Sequence, residues 1–520
     1  MDGKTKIYVN QVGYPENSVK TAYLESDIDF TGKKFIVMDS QDTVIFEGEI
    51  PESNEDDQAG KGWYKLDFSS VTAPGSYHLE IDSHKSYVFS ISNKVWNPLF
   101  QATLEYFTNS RCGVQKSHTI WNPSTCHTGP ARIYGTNQFI EADGGWHDAG
   151  DYGRYIVAGC KAVMDLLLTY KAQNDYKGFD ILDEVRFELE WMMKLQREDG
   201  AVYHKISCYN FCGFIMPSEE KDPLVLAPVS TTATATFAGT LTYACQFYPQ
   251  DKAFVAEMKK CADKAINFLL NNDVLYYENP PEISTGSYGD KNVEDELYFA
   301  YIVYGLYNNK KDIFEKGKAY FDKAKFHGYA WGFFAGYANE IVLENEENIE
   351  DASYVSDIKD AVVLTAEKAM EIAEKSPVDY VLPWAFWGCS GAVMDTAHTL
   401  ILAYRITVDS KYLELAEKAV SYILGANPSG YCYVSGFGSN PMCHPHHRPS
   451  GFLKQTMPGM LAGGPCSQLI DEEAKKYLQG RVPLKCYLDS YGSYSTNEVA
   501  IYWNSALTLV LAMLMEENCI

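Results

Sequence analysis

Two hydrophobic periodicities divide this chain. Up to about residue 93, apolar and polar residues alternate in short runs rich in β-branched and aromatic side chains: KIYVNQ, KTAYLES, KFIVMDS, TVIFEGEI, WYKLDFS, GSYHLEID and KSYVFSIS. Gly13, Gly32, Gly60 and the Pro74–Gly75 pair punctuate them with turn signals. About seven such strands predict an immunoglobulin-like β-sandwich over residues 1–93. The cysteine pair of antibody domains is missing, so the expectation concerns architecture alone.

From Val95 onward the period lengthens. YIVAGCKAVMDLLLTYKAQ, ILDEVRFELEWMMKLQ, TATATFAGTLTYACQFY, DKAFVAEMKKCADKAINFLL, DELYFAYIVYGLY, AVMDTAHTLILAYRI, YLELAEKAVSYILG and NEVAIYWNSALTLVLAMLM place apolar residues at helical spacing. Gly, Asn and Pro clusters separate them. The pattern predicts about ten to twelve helices over residues 94–520 and almost no strand, as paired helices in a closed toroid or bundle. Between Gly425 and Tyr494 the periodicity lapses into Gly, Pro, Ser, His and Asn, with one short helix expected around Leu469–Leu478. An irregular segment of that length in a compact domain usually carries function.

Length and composition narrow the classes. At 520 residues more than one core is expected. A formal net charge of −25 repels phosphate backbones and argues against nucleic acid, while neutral substrates are not penalised. No run approaches the roughly 18 apolar residues of a membrane span. The N-terminus lacks the apolar core of a signal peptide, so the chain either stays in the cell or has lost a leader. Thirteen scattered cysteines read as mostly free thiols of a reducing compartment. The 38 tyrosines suit a sugar-binding cleft, or a Tyr-rich lineage.

Candidate chemistry concentrates in GGWHDAGDYGRY, Gly144–Tyr155, which sets Asp148 and Asp151 three residues apart beside His147 and Trp146, just before a helix. Carboxylates on loops are commonly just solvated. Glu498, read as opening the last apolar helix, would have its pKa raised where aromatics half bury it. A raised carboxyl and an ionised one facing one substrate are the parts of glycoside hydrolysis. Tyr487–Ser505 then resembles the acid-residue signature of glycoside hydrolase family 9, with Asp489, Tyr494, Glu498, Ala500, Asn504 and Ser505 at the family's spacing. A second signature fits at Val434, Ser435, Gly438, Asn440, Pro445, His446 and Arg448, departing only at Cys432. The strand-rich head resembles the immunoglobulin-like domain of one subgroup, so the likeness covers essentially the whole chain and implies an (α/α)6 catalytic barrel.

By that resemblance Asp151 is the general base, Asp148 its companion in holding the water, and Glu498 the general acid. Inversion would set base and acid roughly 6.5–9.5 Å apart. His446 and Arg448 match residues gripping sugar hydroxyls, Tyr494 belongs to the same wall, and Trp387 matches a ring that stacks under a sugar. The family's Trp-Gly-Ser-Asn is here Trp387, Gly388, Cys389 and Ser390, which leaves the substrate preference open. Trp387 could also be core, and His447 reads as supporting.

Cys112, Cys126, His127 and His147 form a two-Cys, two-His set suited to closed tetrahedral zinc. Spacing alone allows a disulfide or free thiols instead. The family resemblance implies a structural zinc on these four positions, with His147 linking the metal to the base loop. Cys208 and Cys212 read as ordinary thiols. Calcium is common in the family, but no ligands are assigned here. The acidic tracts ENEENIED and NVEDE read as solvated faces. The expectation is a monomeric inverting β-1,4-glucanase acting on cellulose, mixed-linkage β-glucan or cello-oligosaccharides. An exo-acting enzyme on short oligosaccharides and a non-catalytic glycan-binding protein are the alternatives. No binding module or dockerin-like tail follows the last helix, which points to soluble chains.

Overall fold

The computed structural model describes residues 5–174, 176–323, 325 and 327–517. They gather into two compact units. One holds the chain up to Tyr106, Ala366–His446 and the residues from Lys454 on; the other holds Phe107–Thr365 and His447–Leu453.

The first unit begins with the expected sandwich. One sheet runs in the order Thr5–Tyr8, Thr21–Ser26, Gly60–Asp67, Asn54–Asp56. The other runs Gly13–Tyr14, Phe89–Ile91, Gly75–Ile81, Lys34–Asp39, Val44–Glu49, with His84–Lys85 paired to Gly75–Ile81. Strict alternation in Gly75–Ile81 turns Tyr77, Leu79 and Ile81 inward onto Leu24, Val37, Leu66 and Phe89. Polar ties fasten the head to helical parts of the same unit. Buried Asp379 accepts from Tyr23 Oη at 2.8 Å and Lys65 Nζ at 2.6 Å. Burial alone would raise its pKa, but Lys418 and Lys65 hold it below the usual carboxylate value. Gln11 N–H donates to the Leu424 carbonyl, and its Oε1 accepts from Ser439 and Asn440 N–H. Cys389–Thr407, Ser410–Ile423 and Ile501–Glu517 are this unit's long helices.

The second unit is mainly helical: Ile156–Ala172, Ile181–Lys194, Thr231–Ala244, Lys252–Asn271, Glu294–Tyr307, Lys311–Lys318 and Ala335–Glu344. Thr231–Ala244 is buried on every side, although six of its fourteen residues are threonine. Thr234, Thr236 and Thr242 return their hydroxyls to carbonyls four residues back, at 2.7–2.9 Å, which satisfies those hydroxyls inside the core. Ser230 caps the helix by accepting from Ala233 N–H.

The expectation of almost no strand after the head is corrected. Phe139–Glu141, Pro130–Ile133, Leu224–Leu226, Lys205–Cys208 and Arg154–Tyr155 form a five-stranded sheet in that order. Strands of two to four residues are too short to show a period of two. No helix among the described residues is long and apolar enough to cross a membrane.

Candidate active site and metal centre

In the second unit the loop Gly144–Tyr155 is shaped by backbone that only glycine adopts readily. Gly144 and Gly145 lie at φ 106° and 78°, and a Cβ on Gly145 would stand 2.4 Å from the Trp191 ring. The loop then follows a series of fixed contacts. Trp146 donates its N–H to Glu188 and its indole N–H to Glu184, and His147 N–H donates to the Ser110 carbonyl. Asp148 N–H donates to the Gly153 carbonyl, and Gly153 N–H returns a bond to Asp151 Oδ2. The buried Arg154 guanidinium donates to the Ala142 and Gly144 carbonyls.

Asp148 is 1% exposed. Tyr288 Oη donates to its Oδ2 at 2.5 Å, while Oδ1 meets no protein donor among the described residues. Burial pushes its pKa well up and the Asp151 charge adds to this, against the Tyr288 hydroxyl. Asp151 is also buried. Arg448 joins this loop through its N–H, which donates to the Gly150 carbonyl, and its side chain reaches the Cys212 carbonyl at 3.4 Å. Tyr152 Oη donates to the Ile215 carbonyl at 2.5 Å.

Directly before Asp148, His147 enters a cluster with Cys112, Cys126 and His127, all four buried and their ligand atoms within 4.8 Å of one another. The edges test the fit. Metal–sulfur bonds of about 2.3 Å and metal–nitrogen bonds of about 2.05 Å give tetrahedral edges of about 3.8 Å (S–S), about 3.6 Å (S–N) and about 3.3 Å (N–N). The corresponding separations are 3.8 Å for Cys112–Cys126, 3.7 Å for Cys112–His127, 3.8 Å for Cys126–His147 and 3.4 Å for His147–His127. A disulfide, with sulfurs about 2.05 Å apart, does not fit this spacing. The Cys112 hydrogen bond holds Cys126 ionised and burial pushes His147 down to about 4, whereas burial pushes the Cys112 thiol up and, against its own burial, the Cys126 and Glu220 bonds raise His127. Glu220 Oε2 lies 2.9 Å from His127 Nε2 and orients that ring. All twelve described cysteines are free.

In the first unit, Glu498 does not open the last helix, as its sequence suggests. It sits in extended backbone (φ −68°, ψ 158°) after the short helix Tyr494–Asn497, and the long helix starts at Ile501. There it forms a parallel bridge with His446, and its carbonyl accepts from Gly463 N–H at 2.7 Å. His446 N–H donates to the Asn497 carbonyl, and its Nδ1 donates to the Tyr491 carbonyl at 2.6 Å, fixing the ring. Asp489 holds the loop before it by accepting from Cys443 and His444 N–H and from Asn497 Nδ2. Tyr494 lies between Trp387 and His446, with ring centroids 5.3 and 5.9 Å away. Trp387 is 42% exposed and so is not core. His447 bonds Ser450 at 2.9 Å, a supporting contact.

The structure thus gathers Asp148, Asp151, Arg448 and the four candidate metal ligands in one unit, and Glu498, His446, Tyr494 and Trp387 in the other. Tyr288 and Glu220 were not legible as partners: Tyr288 is 140 residues from Asp148 and Glu220 is 93 from His127. NVEDE is also corrected. Asp295 and Glu296 are buried, and neither Glu296 oxygen meets a protein donor among the described residues. Asp295 accepts from Phe334 N–H and Asn292 Nδ2. Burial drives both pKa values up, Asp295 to about 7. Both Asp295 oxygens are thus engaged, and of this pair the Glu296 carboxyl alone has unmatched oxygens.

Comparison with known proteins fits this arrangement. Residues 96–511 match glycosyl hydrolase family 9, and residues 2–86 match the cellulase N-terminal ig-like domain. A cellodextrinase of Butyrivibrio fibrisolvens is 31% identical, over 98% of this chain and 100% of that protein. A mutant thermostable endoglucanase from Alicyclobacillus acidocaldarius superposes with a TM-score of 0.89 at 30% identity, covering 98% of this chain and 99% of that one. A Zn-binding triple mutant of a family 9 endoglucanase gives 0.89 at 26% identity, over 96% and 99%.

Proposed function

Because the chain belongs to glycosyl hydrolase family 9, we propose that Asp151 is the base and Glu498 the acid with which it cleaves β-1,4-glucosidic bonds. The enzyme is an inverting glycoside hydrolase, an immunoglobulin-like sandwich followed by an (α/α)6 barrel; we divide the two at residues 93 and 94. In the proposed reaction Asp151 takes a proton from water as the water oxygen bonds the anomeric carbon. Glu498 gives its proton to the departing glycosidic oxygen, so each turnover consumes one water and resets both carboxyls after proton exchange with solvent. The observation that carries this reading is the Asp148–Asp151 pair, held on a glycine-shaped loop. Asp148 Oδ1 offers the water a second acceptor, while Tyr288 occupies Oδ2.

His446 and Arg448 bind sugar hydroxyls in this reading, and Trp387 with Tyr494 supplies apolar ring faces for the sugar's C–H face. We assign zinc to the Cys112, Cys126, His127 and His147 centre. With four protein ligands it leaves no position for substrate, so its role is to fix His147 and the base loop. The substrate class is cellulose, mixed-linkage β-glucan or cello-oligosaccharides, cut internally. The full-length likeness to a cellodextrinase supports the second reading, release of small sugars from short chains.

A product time course on cello-oligosaccharides and mixed-linkage glucan, for wild type and Glu498→Gln, tests this. Internal cutting by wild type, lost by on the order of a hundredfold or more in the variant, supports it. Single sugars from the first minutes would replace endo with exo action. Binding without new reducing ends would sink the catalytic assignment.

A further inference from the structure

The segment Val381–Cys389 carries a second exposed tryptophan that the assignments above leave unused. Trp384 is 42% exposed, as exposed as Trp387 three residues on. Its ring is backed by Phe386, with centroids 5.2 Å apart and planes tilted by 49°. The backbone beneath is pinned at several points. Tyr380 Oη donates to the Trp384 carbonyl at 3.4 Å, and the Ala385 carbonyl accepts from both Ser467 N–H and Ser467 Oγ. Cys389 N–H closes a turn onto the Phe386 carbonyl, through Gly388 at φ 87°, where any Cβ would stand 2.6 Å from Trp503. Ser390 N–H donates to the Gly463 carbonyl, and Gly463 N–H donates to Glu498. Ser390, just past the segment that carries both tryptophans, is thus two hydrogen bonds from the Glu498 main chain, and the backbone at Trp384 and Ala385 is held separately by Tyr380 and Ser467.

We infer that Trp384 is a further sugar-stacking platform, extending by one glucosyl ring the row that Trp387, Tyr494 and His446 begin beside Glu498. This rests on the assignment of Glu498 and Trp387 above. The occupant is a neutral β-1,4-linked glucosyl unit. Its equatorial hydroxyls leave an apolar C–H face, which a large flat ring covers at little conformational cost because the platform is already ordered. A net charge of −25 disfavours a second copy of the chain as occupant and leaves a neutral glycan unopposed. Binding at such a remote ring is expressed in turnover of substrates long enough to reach it.

The test compares wild type, Trp384→Ala and Trp384→Phe on cellotriose through cellohexaose, reading kcat/KM and product pattern at each length, with sedimentation to report mass. Trp384→Ala is expected to lower kcat/KM by about fivefold to tenfold on the longer chains, with a smaller loss on cellotriose, and Trp384→Phe to recover most of it. An unchanged length dependence in Trp384→Ala overturns the inference. So does a change of mass without a change in length dependence, which would place Trp384 in self-association. Wild type inactive on every length would instead overturn the activity on which the inference rests.

Discussion

Replacing Cys126 by serine tests the metal centre at its middle. Cys126 Sγ lies 3.8 Å from Cys112 Sγ and 3.8 Å from His147 Nε2, so it takes part in two of the four edges that match a tetrahedron. Structural zinc in peptide sites binds with about 10–16 kcal/mol at neutral pH, on average about 2.5–4 kcal/mol per ligand. Serine is a poor zinc ligand, and in this buried position it leaves Cys112 and the two imidazoles without a charge partner. A loss of about 3 kcal/mol in a unit of this size lowers the melting temperature by roughly 6–10 °C. Activity falls with it, because His147 immediately precedes Asp148 and its N–H is tied to Ser110. The assay is elemental analysis of purified protein, calorimetry, and kcat on a soluble glucan well below the melting point. Wild type is expected to hold one zinc per chain; the variant is expected to hold little, melt early and turn over more slowly. A variant, or a wild type, that is zinc-free yet melts and turns over normally would refute the reasoning, because the tetrahedral spacing would then be coincidental.

Three further outcomes follow from the geometry. Tyr288→Phe removes the hydroxyl that bonds Asp148 Oδ2 and leaves a buried carboxyl with no donor; at about 1.5–3 kcal/mol, kcat is expected to drop about tenfold or more with KM little changed. An unaltered kcat would remove Tyr288 from the site. Asp151→Asn, which keeps shape but cannot take a proton, is expected to cost on the order of a hundredfold in kcat, and added azide is the standard probe for restoring turnover when a base is missing. The protein is expected to lose stability as pH rises from about 4 to about 7. The Asp295 pKa is raised by burial from its unfolded value to about 7, so the folded state holds a proton that the unfolded chain has released; stability is full below the unfolded pKa and lost through the folded one. Calorimetry between pH 4 and pH 7.5 checks this, and a melting temperature that does not fall over that range would refute a buried, proton-holding Asp295.

The two periodicities by themselves determined the class of each part, because alternation over six or seven residues and apolar repeats over three or four turns survive any tertiary arrangement. Motif spacing located Asp148, Asp151 and Glu498, and the four metal-ligand candidates, because each lies in a local run of chemically unusual residues. Three things only the tertiary structure decided. The five-stranded sheet around Lys205–Cys208 joins strands too short to leave a pattern, and one of its pairings brings Arg132 beside the distant Val225. Glu498 lies outside the helix that its apolar neighbours advertise, because pairing with His446 and Gly463 holds its backbone extended. Tyr288, Glu220 and the burial of Asp295 and Glu296 depend on which distant segment folds over a polar group, and single-chain spacing holds no record of that. Local pattern fixes what an element is; the partner that satisfies a buried charge is fixed only when the chain closes around it.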